Sequence, residues 1–240
     1  MRIALLGDIH GNLPALEAVL WDANNMDVEV IWNLGDMVGY GAYSEEVVSR
    51  LREEKALSIL GNFDDKVLHF KKRSKNWKKT KRKEKWLAFK HAFESLSDDN
   101  QNYMRFLPRH RHVIICGQRF LLCHGSPENA SEALGENTEE RRLRELAMGC
   151  DSDVVICGHG HIPFQERVKG VWFVNTGSVG RPLDADPRAC YALADIHPGT
   201  FFVEHRRVEY DVDRAANAIV AEGLPSILAD LIRYGMNFPD

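Results

Sequence analysis

Cysteine is scarce and badly placed for structural duty. Cys116, Cys123, Cys150, Cys157 and Cys190 are odd in number and no two stand as C-x-x-C, which argues against a disulfide framework and against a thiolate zinc site. Cys116, Cys123 and Cys157 fall in apolar, strand-like runs, where a buried reduced thiol serves as a small hydrophobe. Long hydrophobic runs are missing too. No stretch approaches the roughly 18 apolar residues of a membrane-spanning helix, and Met1-Arg2 leads straight into Ile3-Ala4-Leu5-Leu6 with none of the pattern of a secretion signal. Internal repeats and low-complexity linkers are also absent. These absences predict a cytoplasmic protein with no membrane partner. With 44% hydrophobic and 28% charged residues over 240 positions, the chain suffices for one large domain, or one domain with an insertion, around a full core.

Net charge is −4, but it is unevenly distributed. Residues 71–85 carry ten Lys or Arg against one acid, Glu84, and the remainder holds 21 basic and 34 acidic residues. An acidic body suits a protein that gathers cations in a carboxylate-bearing site. The basic run, interleaved with Trp77 and followed by Trp86, has two readings: a solvated helix face, as charge runs usually are, or a surface that draws polyanionic substrates. Nucleic-acid binding ranks below both.

Apolar periodicity places strands at Arg2 to Leu6, Val28 to Trp32 and Ala56 to Leu60, alternating with helices that start near Pro14 and span Ser44 to Glu53. Such alternation predicts an α/β layered fold with its ligands at the carboxyl ends of parallel strands. Residues 65–111 lack a clear strand and show helical spacing, as in Trp86, Phe89, Lys90 and Phe93, so an inserted helical cap is expected there, with Met104 and Phe106 packing it on the body. Strands resume at His112 to Cys116, Arg119 to Cys123 and Asp153 to Cys157, with a helix near Thr138 to Met148. Those at Phe164 to Val168, Val171 to Val174, Cys190 to Asp195 and Thr200 to Tyr210 are expected to be antiparallel. Two helices, Val212 to Glu222 and Pro225 to Tyr234, close the chain.

Five polar stations recur where strands should end: Asp8-Ile9-His10, Gly35-Asp36, Gly61-Asn62-Phe63-Asp64, His124-Gly125 and Gly158-His159-Gly160-His161. A lone Asp or His after a strand is usually a helix cap or a surface group, but five in this order supply what a two-metal site for phosphoester cleavage needs. Asp8 and His10, two residues apart on an extended segment, face one way. A carboxylate such as Asp36 has two oxygens with which to bridge two cations. Asn62 offers an amide oxygen and His124, His159 and His161 offer imidazoles, a mixed set suited to Mn, Fe, Zn or Ni rather than Ca or Mg.

The pattern resembles the calcineurin-like metallophosphoesterase family, whose stations read D-x-H, G-D, G-N-H-[DE], H and G-H-x-H, and the likeness spans residues 3–211. It implies a four-layer α/β/β/α sandwich. It implies that Asp8, His10 and His161 hold one metal, that Asn62, His124 and His159 hold the other, and that Asp36 bridges, with Asp36, Asn62 and His124 as catalytic residues. Two divalent or trivalent transition ions about 3.5–4 Å apart would then activate a hydroxide for direct attack on phosphorus. The run Asn175-Thr176-Gly177-Ser178-Val179-Gly180-Arg181-Pro182, with Asp186-Pro187-Arg188, Tyr210-Asp211-Val212 and Gly223-Leu224-Pro225, is similar to a small bacterial and archaeal branch. That branch includes phosphodiesterases and, with comparable helical insertions, dinucleoside polyphosphate hydrolases. The implied partner is a small phosphorylated, nucleotide-like substrate. Arg181 and Arg188 are candidate phosphate clamps, the alternative being structural salt bridges.

One position departs from the family pattern. Phe63 stands where most members carry the histidine that protonates the leaving oxygen, a contribution of about 10²–10⁴ in rate. The departure predicts a preference for anhydrides or activated esters over alkyl esters, unless Asp64, His69 or His91 supplies the proton. A different class, a binding scaffold of the same fold without chemistry, would ordinarily lack one or more ligand types, and here all seven positions hold suitable ones.

Overall fold

The computed structural model describes residues 1–238. Its elements run β1 (Arg2–Leu6), α1 (Leu13–Asn25), β2 (Val30–Asn33), α2 (Ser44–Glu53), β3 (Leu57–Ser58), then four helices, α3 (Asn62–Leu68), α4 (Phe70–Thr80), α5 (Lys83–Ser95) and α6 (Asp98–Arg105). The second half holds β4 (His110–Ile115), β5 (Gln118–Cys123), α7 (Glu140–Gly149), β6 (Val154–Cys157), β7 (Pro163–Val168), β8 (Val171–Thr176), β9 (Ala189–His197), β10 (Thr200–Val208), α8 (Val212–Ala221) and α9 (Ser226–Tyr234).

Two five-stranded sheets stack face to face, one ordered β10-β9-β1-β2-β3 and the other β4-β5-β6-β8-β7. Strand alternation builds the layers. Ile3 and Leu5 of β1, Phe120 and Leu122 of β5, and Val154 and Ile156 of β6 meet between the sheets with Trp32, Ala192 and Ala194. Their neighbours point outward: Ala4 and Leu6 under α1, α2, α8 and α9, and Leu121, Cys123, Val155 and Cys157 under Leu143 and Leu146 of α7. The result is the four-layer α/β/β/α sandwich, in which each fully buried aliphatic side chain contributes about 1.5–3 kcal/mol. Among the described residues no helix is long and apolar enough to cross a membrane.

The helices α3–α6 share a core with the body. Phe63, Val67, Phe70, Trp77, Phe89 and Met104 join the same apolar cluster as Leu6, Ile9 and Val47. Phe106, expected to pack there, is instead exposed: it caps the end of α6, beyond that helix's buried face. Cys116 is likewise exposed, because it sits with φ of 51° in the turn between β4 and β5. The strand expected from Ala56 to Leu60 shortens to two residues, since Leu60 donates its N–H to Pro108 O at 2.8 Å and so leaves the ladder. β8 pairs antiparallel with β7, as the sequence predicts, and on its other edge it pairs parallel with β6 along Val154–Trp172 to Cys157–Asn175, because the chain crosses over through edge strand β7.

This topology decides where chemistry can occur. β1, β2 and β3 are mutually parallel in one sheet, and β5, β6 and β8 in the other. The stations at residues 8–10, 35–36, 61–64, 124–125 and 158–161, and the turn at 175–182, follow these six strands, so they gather at one rim of the sandwich.

Candidate metal centre

The backbone at this rim is held in an unusual state. Asp8, His10, Asp36, His159 and His161 have φ of 53°, 50°, 53°, 63° and 59°, in the left-handed region that costs a residue with a Cβ about 1–2 kcal/mol. Five of the seven candidate ligands are therefore strained, and the Asp8-to-His10 segment is a turn rather than the extended run expected. Hydrogen bonds between stations impose the turn: Asp8 N donates to Gly35 O (3.1 Å), His10 N to Asp36 O (2.9 Å) and Gly180 N to Asp8 O (3.1 Å). Ser178 Oγ donates to Asp8 O at 2.7 Å. Gly35, at φ 89°, lies against Gly61 so closely that a Cβ on it would sit 2.4 Å from Gly61 N. That contact sets Asp36 against the start of α3, where Gly61 lies beside it and Phe63 N donates to its Oδ1.

Side chains converge in two sets, Asp8, His10 and His161, and Asp36, His124 and His159, with the ligand atoms of each set within 4.8 Å of one another. In the first, Asp8 Oδ1 lies 3.2 Å from His161 Nε2 and 3.8 Å from His10 Nε2, and the two Nε2 atoms are 3.3 Å apart. His10 Nδ1 faces Val38 O (3.3 Å) and His161 Nδ1 faces Arg181 O (2.6 Å). A carbonyl only accepts, so both Nδ1 atoms carry the proton and both Nε2 atoms present lone pairs to one point.

Asp36 stands between the sets. Its Oδ1 accepts from Phe63 N at 2.7 Å, which leaves Oδ2 3.3 Å from His124 Nε2 and 3.7 Å from His10 Nε2. His124 Nδ1 donates to Leu34 O at 2.8 Å. Asn62 opens α3 and places Nδ2 3.0 Å from His159 Nδ1, while its Oδ1 accepts from Lys66 Nζ at 3.3 Å.

The electrostatics are those of a cation site. Asp8 Oδ1 and His124 Nε2 are fully buried with no hydrogen-bond partner, a state natural proteins rarely leave uncompensated. Burial pulls the His124 pKa down, but the charge of Asp36 and then Asp8 overrides it and pushes it up to about 10. Burial also pushes Asp64 up, with Asp36 adding to it, to about 7. His10 is driven down to about 3, chiefly by burial. The pull of Asp36 and Asp8 on His124 marks a place for positive charge, and with a metal ion in place of that proton the donor set of carboxylate oxygens, an amide and imidazoles fits transition-metal ions.

A cavity of about 250 Å3 opens over this centre, floored by His10, Asp36, Asn62, His159 and His161 and walled by Tyr40, Phe63 and Phe89. Arg181 reaches it; Arg188 does not, because Asp186 two residues earlier holds its guanidinium at 2.7 Å on the surface. None of the three substitute proton donors lines it either. Asp64 is buried with its oxygens accepting from Val38 N and Gly61 N, His69 faces Asp65, and His91 lies 3.4 Å from Glu222. Lys66, Tyr40 and Asn237 also line the cavity and escaped the sequence reading. For Lys66 a signal existed, its place one helical turn after Asn62.

The sequence matches the calcineurin-like phosphoesterase superfamily domain over residues 1–199. The chain belongs to this superfamily. As a calcineurin-like phosphoesterase it is 31% identical over 250 residues to an uncharacterized protein of Methanocaldococcus jannaschii, covering 97% of this chain and 98% of that one. It is 26% identical to the phosphodiesterase YfcE of Escherichia coli, over 81% of this chain and 88% of the other. The crystal structure of a metallophosphoesterase from Sphaerobacter thermophilus superposes with a TM-score of 0.81 at 28% identity, covering 98% of this chain and 99% of that one. The family is metal-dependent and hydrolytic, and this calcineurin-like phosphoesterase falls in its small bacterial and archaeal branch.

Proposed function

We propose that the protein hydrolyses phosphodiester or phosphoanhydride bonds of small, nucleotide-like substrates at a centre of two transition-metal ions. The observation that carries this reading is the pair of facing triads with Asp36 between them and two buried, unpartnered ligand atoms, Asp8 Oδ1 and His124 Nε2. Asp8, His10 and His161 would hold one ion, Asn62, His124 and His159 the other, and Asp36 would serve both. For Asn62 to offer its oxygen, the amide turns about its last bond and Lys66 moves to the substrate side. Such ions, when bound, supply Lewis acidity, an activated water nucleophile and charge to offset the phosphoryl oxygens.

The residues around the ions define what the site accepts. Tyr40, Phe63 and Phe89 form a wall that excludes water from one side of the cavity. Phe63 offers no proton to a departing oxygen, and Asp64, His69 and His91 do not line the cavity, so the site lacks the imidazole donor that a poor leaving group needs. That favours phosphate, nucleotide or aryl leaving groups over alkoxides. The helices α3–α5 act as a cap that supplies part of the wall. A scaffold that had lost its chemistry gives no reason to keep seven inward-facing ligand types under five strained φ angles.

A manganese-supplemented hydrolysis screen tests this reading, comparing bis-p-nitrophenyl phosphate, p-nitrophenyl phosphate, simple nucleotides and dinucleoside polyphosphates, with Asp36→Asn as control. Turnover of diester or anhydride that the variant loses is expected. No turnover with any of Mn, Fe, Zn or Ni would overturn it.

A further inference from the structure

We propose that Lys66, Lys81, Lys85 and Arg181 form a second anion subsite beside the metal centre, one that takes the distal phosphate of a substrate carrying a diphosphate or longer chain; this rests on the phosphoesterase reading above. The four cations come from separate parts of the chain: α3, the turn between α4 and α5, α5 itself, and the turn after β8. All four line the cavity that His10, Asp36 and His159 floor.

What sets them apart is that they line a cavity without a carboxylate partner. Other arginines of the molecule are paired, Arg142 with Glu132, Arg188 with Asp186 and Arg206 with Asp22. Among the described residues none of Lys66, Lys81, Lys85 and Arg181 forms an ion pair with a carboxylate. Lys66 contacts the Asn62 amide, Lys81 lies 5.9 Å from the Trp77 ring and Lys85 5.3 Å from that of Phe238.

Arg181 is the anchor. It is only 5% exposed, its guanidinium lies 4.5 Å from the centre of the Tyr40 ring, and Nη2 donates to Asn237 Oδ1 at 3.2 Å. Its Nε is buried with no partner at all. A guanidinium fixed in this way is pre-organised for phosphate oxygens.

Four positive side chains around one small cavity repel one another, and burial adds to the cost. An anion placed among them relieves both. One phosphoryl group at the metal centre would be matched by the ions that Asp8, His10, His161, Asp36, Asn62, His124 and His159 would hold, so the four cations call for a further phosphate on the same molecule. The exposed lysines of α4, Lys72, Lys75 and Lys79, do not line the cavity and take no part.

Calorimetric titration of the manganese-loaded protein with α,β-methylene-ADP and with AMP, each in manganese-saturated buffer, tests the subsite without relying on turnover. The diphosphate analogue is expected to bind at least about tenfold more tightly than AMP, the worth of one added charge-assisted contact. Lys81→Ala and Lys85→Ala should each reduce that ratio, Lys85→Arg should restore it, and Lys79→Ala should leave it intact. Equal affinities for the two ligands, or a ratio that survives both alanine variants, would overturn the subsite. A ratio that behaves as expected in a protein hydrolysing no phosphoester or anhydride would uphold the subsite and sink the hydrolase reading.

Discussion

Replacing Phe63 by histidine should convert the specificity of this centre, and the structure sets the size of both the gain and the cost. Phe63 is 5% exposed, with its ring 4.3 Å from Phe89, 4.7 Å from Tyr40 and 5.4 Å from His10. It lies so close over Gly39 that a Cβ there would come within 2.1 Å of it. The smaller imidazole therefore fits without a clash. It exchanges apolar ring edge for polar atoms, which forfeits most of a buried phenyl's transfer energy, about 2 kcal/mol, or roughly 4–8 °C in Tm for a chain of this size. In return a proton donor stands on the wall of the reacting cavity. Relative to a p-nitrophenyl leaving group, an alkoxide leaving group should gain about 10² or more in kcat/KM. The assay compares bis-p-nitrophenyl phosphate with glycerophosphocholine across pH, and the gain should fade above the imidazole's pKa of about 6.5 as the donor deprotonates. A folded variant in which both substrates change by the same factor would refute the argument that Phe63 limits the leaving group.

How far the sequence revealed this centre varies by residue. The seven candidate ligands were legible because each lies in a short polar station after a strand, and β1 was legible as an apolar run, but its division between two cores, Ile3 and Leu5 on one side and Ala4 and Leu6 on the other, is a tertiary fact. The left-handed turns at Asp8, His10, Asp36, His159 and His161 were not legible. They arise from hydrogen bonds between stations far apart in the chain, such as His10 N to Asp36 O and Gly180 N to Asp8 O, and nothing in the local residues announces them. The role of the 175–182 turn was hidden likewise: Ser178 braces Asp8 and the Arg181 carbonyl orients His161. Arg181 and Arg188 looked alike in sequence, but the fold buries Arg181 against Tyr40 while Asp186 holds Arg188 on the surface. The basic run was visible as charge, but which lysines face inward depends on how α4 and α5 pack on Phe63 and Phe70. That packing is a tertiary fact.

Three further outcomes follow from particular contacts. Gly35→Ala should cost at least about 2 kcal/mol, because φ is 89° and the new Cβ meets Gly61 N at 2.4 Å; urea denaturation measures it, and an unchanged midpoint would contradict the close approach. Arg142 holds Glu132 down to about 2, its hydrogen bonds outweighing partial burial, so this pair stabilises the fold above the ordinary glutamate pKa of 4.5 and loses that stabilisation as pH falls toward 2. Arg142→Ala should therefore cost about 1 kcal/mol at pH 7, both partners being partly solvated, and less at pH 3 by the same denaturation assay. The last concerns the ions. Manganese at about a hundred times its Kd adds about 2.7 kcal/mol to the folded state, some 5–11 °C in Tm, and a chelator should remove that gain. Asp36→Asn withdraws the one carboxylate among the described residues whose oxygen stands between His124 and His10, so the gain from manganese should shrink sharply. The chelated variant should also be less stable than the chelated wild type: the amide oxygen still accepts from Phe63 N, but the buried His124 imidazole loses the opposite charge beside it. Scanning calorimetry of both proteins, with and without chelator, separates these effects. An equal manganese shift in the two would show that Asp36 is not a ligand, and a chelated variant as stable as the chelated wild type would show that the Asp36 charge does not offset His124.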